Sequence, residues 1–247
     1  MIQTKILFGP AGCGKTYAGR QFAAETKAAL VFYQCHSWTT ADDLFMGIHV
    51  PSAVAGRPES VEQPGALLKA AQLSHEGRVV LVIDELDKAP ESAEALLLNF
   101  LQNGEVPIAP GEQFAANIQN LTVFITSNEV RPHTDPLLRR CKRVFMSPMS
   151  DSLICDIIES TCAANRFVVE KCWDLARRLS ISEGNPALSA AEGIELMREL
   201  LNAQTKLDVL DAFRGWACRT REGAESLTEG HPRFASVWGI IKNNNAL

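Results

Sequence analysis

The chain has 247 residues, a formal net charge of −5, an apolar content of 46 % and seven cysteines with no C-x-x-C pair. That length predicts a main domain with a smaller companion, and the acidic balance gives no overall electrostatic case for nucleic acid. An odd, scattered set of cysteines argues for reduced thiols rather than a disulfide frame or a zinc site. No apolar run approaches the roughly 18 residues of a membrane span, so a soluble cytoplasmic protein is expected.

Taken in order, Lys5-Ile6-Leu7-Phe8 is a short apolar run of strand type. Behind it, Gly9-Pro10-Ala11-Gly12-Cys13-Gly14-Lys15-Thr16 satisfies the pattern G-x-x-x-x-G-K-[ST] in full, and Tyr17 to Lys27 reads as a helix. Strand, glycine loop, helix is the order a phosphate site needs. The glycines let backbone N–H groups turn inward, and the helix directs its positive end at the same place. Gly9 to Tyr17 is thus the expected nucleotide-binding stretch, with Lys15 on the β- and γ-phosphates and the Thr16 hydroxyl on Mg²⁺. An ordinary glycine turn would not require Lys-Thr directly after its last glycine.

Ala29 to Tyr33 predicts a second buried strand, ending in Gln34-Cys35-His36. Cys35 and His36 have no second pair of ligands beside them, so packing is preferred over metal binding. A helix start follows at Thr40 to Leu44, then an exposed loop or insertion from Gly47 to Pro64, then helix from Gly65 to Leu73. Val79-Val80-Leu81-Val82-Ile83 is apolar at every position and ends in Asp84-Glu85. Such a run fits a strand buried on both faces of a parallel sheet, and ligands bind at the carboxyl ends of such strands. This is the form of a Walker B element: Asp84 would hold Mg²⁺, and Glu85 would orient and polarise the attacking water.

Glu91 to Leu101 predicts a helix stopped near Asn103-Gly104, and Val106 to Ile118 a small hairpin with its prolines at edge or turn positions. Leu121 to Thr126 is another buried strand, whose polar continuation Ser127-Asn128 again faces the phosphate site. A short helix from Asp135 to Cys141 carries Arg139 and Arg140, and Arg143 to Met146 is a last short strand. Beyond Pro148 the pattern is helical only, at Leu153 to Ile158, Val169 to Leu179, Leu188 to Leu201 and Leu207 to Ala217, with a short closing helix around Trp238, Ile240 and Ile241. The expected fold is an α/β parallel sheet sandwiched by helices over residues 1–148, followed by a small all-helical domain over 149–247.

The motifs from Gly9 to Thr16, Gln34-Cys35-His36, Asp42-Asp43-Leu44, Pro64 to Leu68, Ile83 to Ala89, Thr126-Ser127-Asn128 and Leu137 to Cys141 resemble those of the AAA+ ATPases, more narrowly the MoxR-like, dynein-related branch. The resemblance covers about residues 1–150 by motif, and the remainder by architecture as a lid. It implies ATP and Mg²⁺ bound between neighbours in a ring, usually of six subunits. It makes Asn128 the sensor 1 residue that positions water beside Glu85, and Arg139 and Arg140 the arginine-finger region acting on the adjacent subunit's ATP. The segments 47–64 and 104–118 match insertions that are candidates for touching a client. The sequence departs from the broader pattern at the candidate lid helix start, Gly184 to Ala191, which has no sensor 2 arginine. Arg177, Arg178 or Arg198 are the candidate replacements.

The resulting expectation is an oligomeric ATP-hydrolysing remodeller that activates, assembles or inserts a cofactor into a partner protein, with specificity supplied by a client or adaptor. Two alternatives stand beside it: a nucleotide-dependent assembly module with negligible hydrolysis, and a motor subunit linked to nucleic acid, against which the charge balance counts.

Overall fold

The computed structural model describes residues 1–48, 62–182 and 188–244. The chain divides into two compact units, Met1–Pro148 and Met149–Leu247.

The first unit opens with β1 (Gln3–Phe8), α1 (Lys15–Glu25) and β2 (Ala29–Gln34), followed by α2 (Ala41–Leu44) and the antiparallel pair β3 (Met46–Ile48) and β4 (Glu62–Pro64). Then come α3 (Ala66–Leu73), β5 (Val79–Asp84), a 3-10 turn (Leu86–Lys88) and α4 (Glu91–Asn103). The hairpin of β6 (Glu105–Ala109) and β7 (Glu112–Ala115) precedes β8 (Leu121–Ser127), α5 (Asp135–Leu138) and β9 (Lys142–Phe145). Five strands form one parallel sheet in the order β2-β5-β8-β1-β9.

Alternating residues of each strand feed two cores, as the period of two requires. Ile6, Leu81, Ile83, Val123 and Ile125 join Leu67 of α3 and Leu97 and Phe100 of α4 on one face. Leu7, Val80, Val82 and Phe124 join Ala23 of α1 on the other. Every residue of β5 is buried, which explains its unbroken apolar run. On the α1 face the approach is close: a Cβ at Gly19 would lie 2.8 Å from Val82 Cγ2, so the helix seats on β5 only with glycine there.

Several elements differ from the sequence expectation. The ends of the 47–64 segment are not loop but the paired strands β3 and β4, because backbone pairing between two strands needs no apolar pattern; residues 49–61 lie outside the described residues. Helix α1 begins at Lys15, inside the glycine motif, since Gly14 (φ 91) already turns the chain into its first helical residue. The helix expected over 135–141 is a single turn ending at Leu138, and α2 is likewise one turn, held by a Thr40–Asp43 capping box.

In the second unit, α6 (Asp151–Cys162), α7 (Arg166–Ser182), α8 (Ala190–Asn202) and α9 (Lys206–Trp216) follow the predicted periodicity. Ile158, Val169, Cys172, Trp173, Met197, Leu200 and Phe213 form their common core. Ser189 with Glu192, and Thr205 with Asp208, make capping boxes at the starts of α8 and α9. Two corrections apply. The six-residue α10 (Arg221–Ser226) buries no residue, so no apolar stripe announces it. The closing helix α11 (Pro232–Asn244) has 13 residues rather than a few, because its buried stripe is Phe234, Val237 and Ile241 at helical spacing, and Pro232 opens it where a missing N–H costs nothing. Among the described residues no helix is long and apolar enough to cross a membrane.

Candidate active site

The loop between β1 and α1 is built on three glycines with positive φ: Gly9 at 151°, Gly12 at 78° and Gly14 at 91°. A side chain at Gly9 would also run into the Met146 carbonyl oxygen beyond β9, so the first glycine is fixed by space as well as by dihedral. Lys15 is only 7 % exposed. Its ammonium donates to the carbonyl oxygens of Gly9 and Pro10 at 2.7 Å each and lies 3.7 Å from Cys13 Sγ. These partners are all uncharged. A buried cation with no carboxylate partner is costly unless an anion arrives, which is what a triphosphate supplies. Tyr17 points outward at 66 % exposure.

The sheet order decides what faces this loop. β8 lies between β1 and β5, so the carboxyl ends of these three strands, with their polar residues, converge at one edge of the sheet. The Thr16 hydroxyl donates to Asp84 Oδ1 at 2.6 Å, and the Thr126 hydroxyl donates to the same oxygen at 2.8 Å. A hydroxyl and a carboxylate side by side form the hard-oxygen donor set that suits Mg²⁺.

Glu85 follows directly, at φ 55, in the left-handed region that a non-glycine residue enters at a cost of roughly 1–2 kcal/mol. The turn is held by its backbone: the Glu85 N–H donates to Thr126 Oγ1 at 2.8 Å, and the Asp84 carbonyl accepts from Cys35 N–H at 2.8 Å. The Glu85 side chain is engaged on both oxygens. Oε2 accepts from Lys88 at 2.7 Å and Gln34 at 3.0 Å, while Oε1 accepts from Asn128 Nδ2 at 3.2 Å. Partial burial pushes this carboxyl up, but the hydrogen bonds from Lys88, Gln34 and Asn128 outweigh it and hold the group below the ordinary carboxylate range. Glu85 therefore stands ionised, able to accept from a water once one of these donors gives way.

The segment after β8 is clamped by two buried carboxylates. Asp87 Oδ2 accepts from the backbone N–H groups of Asn128 and Val130, at 3.0 Å each. Glu94 of α4, fully buried, accepts from Arg131 and His133 at 2.7 Å each, and from the Thr134 N–H and hydroxyl at 2.9 and 2.7 Å. Arg131 also donates to the carbonyl oxygens of Leu86 and Ala89, and His133 reaches Ser127 Oγ at 2.9 Å.

Lys15, Thr16, Asp84, Glu85 and Asn128 thus meet at one place, while Arg139 and Arg140 stand apart from them. Arg139 is exposed, and among the described residues Arg140 bonds the Pro136 carbonyl at 2.8 Å while its buried Nε has no partner there. Cys35 is buried in the core, and burial with the nearby Asp84 charge pushes its thiol up to about 12, far from a reactive thiolate. The three arginines considered for the lid are paired on the helical unit's surface: Arg177 with Asp151, Arg178 with Asp174 and Arg198 with Glu195. Of the candidate lid helix start, Gly184 to Ala191, residues 184–187 lie outside the described residues, and Ser189 caps α8.

Sequence reading missed Gln34, Lys88, Thr126, Asp87 and Glu94 as parts of the site. Gln34 and Thr126 had a usable signal, each sitting at or next to the carboxyl end of a buried strand. Glu94 had a subtler one, since 94, 97 and 101 share a helix face and Leu97 and Leu101 are core residues.

Residues 5–145, more than half of the chain, match the family described as AAA domain (dynein-related subfamily). Mouse von Willebrand factor A domain-containing protein 8 is 29 % identical over 116 residues, which span 47 % of this chain and 6 % of that protein. Among solved structures, a point mutant of Thermotoga maritima RuvB aligns over 92 % of this chain and 62 % of its own, with 17 % identity and a TM-score of 0.51. The closed state of Hsp104 with ATPγS and FITC casein aligns over 65 % of this chain and 31 % of its own, with 17 % identity and a TM-score of 0.49. With a complete phosphate loop, a magnesium-type donor pair and an ionised glutamate at the ends of neighbouring parallel strands, the chain belongs to the dynein-related subfamily of AAA domains.

Proposed function

We propose that the protein is a MoxR-like remodeller that hydrolyses ATP at sites shared between subunits of a ring, expected to be hexameric, to activate, assemble or load a partner protein. In this reading residues 1–148 bind the nucleotide, residues 149–247 are its lid, and the protein works in the cytoplasm, where its seven free cysteines stay reduced.

The observation that carries the reading is the unequal placement of the site residues. Thr16 is bonded to Asp84 and Asn128 to Glu85 at the ends of neighbouring strands, with Lys15 next to Thr16 in the glycine loop, whereas Arg139, on the α5 side of the same unit, is exposed and shares none of these bonds among the described residues. A cluster with donors for phosphate and metal but no arginine at the reacting end suits completion by a neighbour. In the assembled site the Gly9–Thr16 backbone and Lys15 hold the β- and γ-phosphates, and Thr16 and Asp84 hold Mg²⁺. When bound, that ion offsets the negative charge of the phosphates. Asn128 orients Glu85, Glu85 accepts from the attacking water, and Arg139 or Arg140 of the adjacent subunit meets the charge that develops on the transferred group.

The test is twofold. Glu85→Gln should trap ATP and abolish turnover while binding persists. Rings mixing Arg139→Ala/Arg140→Ala subunits with Glu85→Gln subunits should regain phosphate release, because the interface between an intact Glu85 site and an intact arginine pair is restored. Absence of recovery in rings shown to be mixed defeats the shared-site reading. A pull-down with the Glu85→Gln form then seeks the client, since an ATP-trapped remodeller holds its partner longest.

A further inference from the structure

Glu94 is buried in the first unit, touches neither the phosphate loop nor Glu85 among the described residues, and takes four hydrogen bonds from three residues, Arg131, His133 and Thr134. On Oε1 it accepts from Arg131 Nη1 and His133 Nδ1; on Oε2 it accepts from the backbone N–H and the hydroxyl of Thr134. Thr134 is the residue from which α5 starts, and α5 leads within one turn to Arg139 and Arg140. Burial pushes the Glu94 carboxyl up, yet the donors from His133, Thr134 and Arg131 hold it down at about 2, so the group at the centre of this knot is a carboxylate.

The donor arrangement admits no substitute. Arg131 Nη1 can only donate, and so can the Thr134 N–H; they sit on different oxygens. A carboxamide at position 94 would turn its NH₂ against one of them in either orientation. The other tie-points lie on the Walker B side: Arg131 also bonds the carbonyl oxygens of Leu86 and Ala89, and α4, which carries Glu94, begins immediately after that turn. The start of the arginine-bearing turn is therefore fastened to the segment that carries Glu85, through a buried ionic contact and not through apolar packing alone.

We propose that Glu94 is a positioning residue of the ATPase: its carboxylate fixes the start of α5, and with it the arginines that this subunit presents to its neighbour's nucleotide. This rests on the reading of Arg139 and Arg140 as acting between subunits. Glu94 touches no reacting atom; it acts through Thr134 and α5. Misplacement by about an ångström at a reacting centre can cost roughly 10²-fold, so rings made wholly of Glu94→Gln subunits should lose about that much in kcat with KM for ATP unchanged.

The decisive experiment assigns Glu94→Gln to a complementation group, using full-length subunits mixed in pairs and steady-state phosphate release at a concentration where rings form. Mixed with Glu85→Gln, the Glu94 variant should regain activity, because its own nucleotide site is intact and receives a sound arginine pair. Mixed with Arg139→Ala/Arg140→Ala, it should regain none, because neither kind of subunit presents a working arginine. Recovery with the arginine variant instead would place the defect in the subunit's own site, and no recovery with either, in rings shown to be mixed, would mark a global loss; both overturn the proposal, as does full activity of Glu94→Gln alone. The underlying reading is judged separately by the pairing of the arginine variant with Glu85→Gln, which contains no change at 94. Thr134→Val, which leaves the carboxylate in place and removes one of its donors, should show a smaller loss in the same group as the arginine variant. Should Glu94→Gln fail to fold, the group to which Thr134→Val belongs decides the matter, and membership of the Glu85 group overturns the proposal.

Discussion

The two units bury very different material. Of the ten buried polar or charged residues among those described, nine (Thr4, Lys15, Thr39, Ser74, Asp84, Asp87, Glu94, Thr126 and Ser127) belong to the α/β unit, and only Ser180 belongs to the helical one. The helical unit is instead an apolar core of Trp173, Met197, Phe213, Phe234 and their neighbours, with its arginines paired near the surface to carboxylates. Burying a polar group costs stability unless it is fully bonded, so a unit that buries nine of them has accepted that cost for a purpose other than folding. The helical unit's sequence is spent on packing. The chemistry therefore sits at the polar ends of the parallel strands, where bonds such as Thr16–Asp84 and Asn128–Glu85 run between residues tens of positions apart.

The contrast can be broken at its strongest point by Lys15→Ala. Losing the charge-assisted bonds to phosphate should weaken nucleotide binding and turnover by roughly 10²- to 10³-fold, while stability measured without nucleotide should change by only about 1 kcal/mol, because the lost ammonium was a buried cation among carbonyls. Isothermal calorimetry beside denaturant unfolding checks both halves; a large loss of stability would show that the cluster holds the fold together after all. Phe213→Ala is the converse case. Removing a fully buried ring from the helical core should cost about 3–5 kcal/mol, read from the denaturation midpoint, and a cost under 1 kcal/mol would mean the core repacks and specifies little. The smallest of the three effects is the acid limb. Glu94 has a folded pKa of about 2 against an ordinary 4.5, so it contributes stability that is present above the ordinary value and is lost as pH falls from there through the folded value. That contribution is on the order of 3 kcal/mol, and Glu94→Gln should flatten the fall in stability between those two pH values. An unchanged acid profile in the variant would show that the carboxylate is not tied as its hydrogen bonds indicate.

How much of this was legible in the residues depends on whether the signal was contiguous. Gly9 to Thr16 reads in a single glance because phosphate binding there is a backbone property of adjacent residues, and Val79 to Glu85 reads because burial on both faces leaves an unbroken apolar run with acids at its end. Asn128 was found only as the polar residue after a strand, with its role supplied by resemblance. Gln34, Lys88 and Thr126 were not assigned to the site, although each bonds Asp84 or Glu85. The partners of Gln34 and Thr126 lie at the end of another strand, and although Lys88 sits only three residues after Glu85, no local pattern distinguishes a site glutamine or lysine from a surface one. Glu94 was hidden more thoroughly, since a glutamate on a helix is ordinarily a solvated one. In the helical unit the periodicity gave four helices, but α10 escaped because it buries nothing, and α11 was cut short because its stripe begins at Phe234, four residues before Trp238.

The phosphate loop, the buried strands with their acidic and polar ends, and the change to helices beyond Pro148 are all written in local residue patterns, since each follows from short-range steric and hydrophobic rules. That β8 enters the sheet between β1 and β5, and so brings Thr126 and Asn128 to Asp84 and Glu85, emerges only when the chain is folded. Strand order is a property of packing between distant segments, and no residue encodes it alone. The same holds for the Glu94 knot: four donors from residues 131–134 converge on one carboxylate some forty positions away, and the low dielectric of the core makes that convergence obligatory once the glutamate is buried.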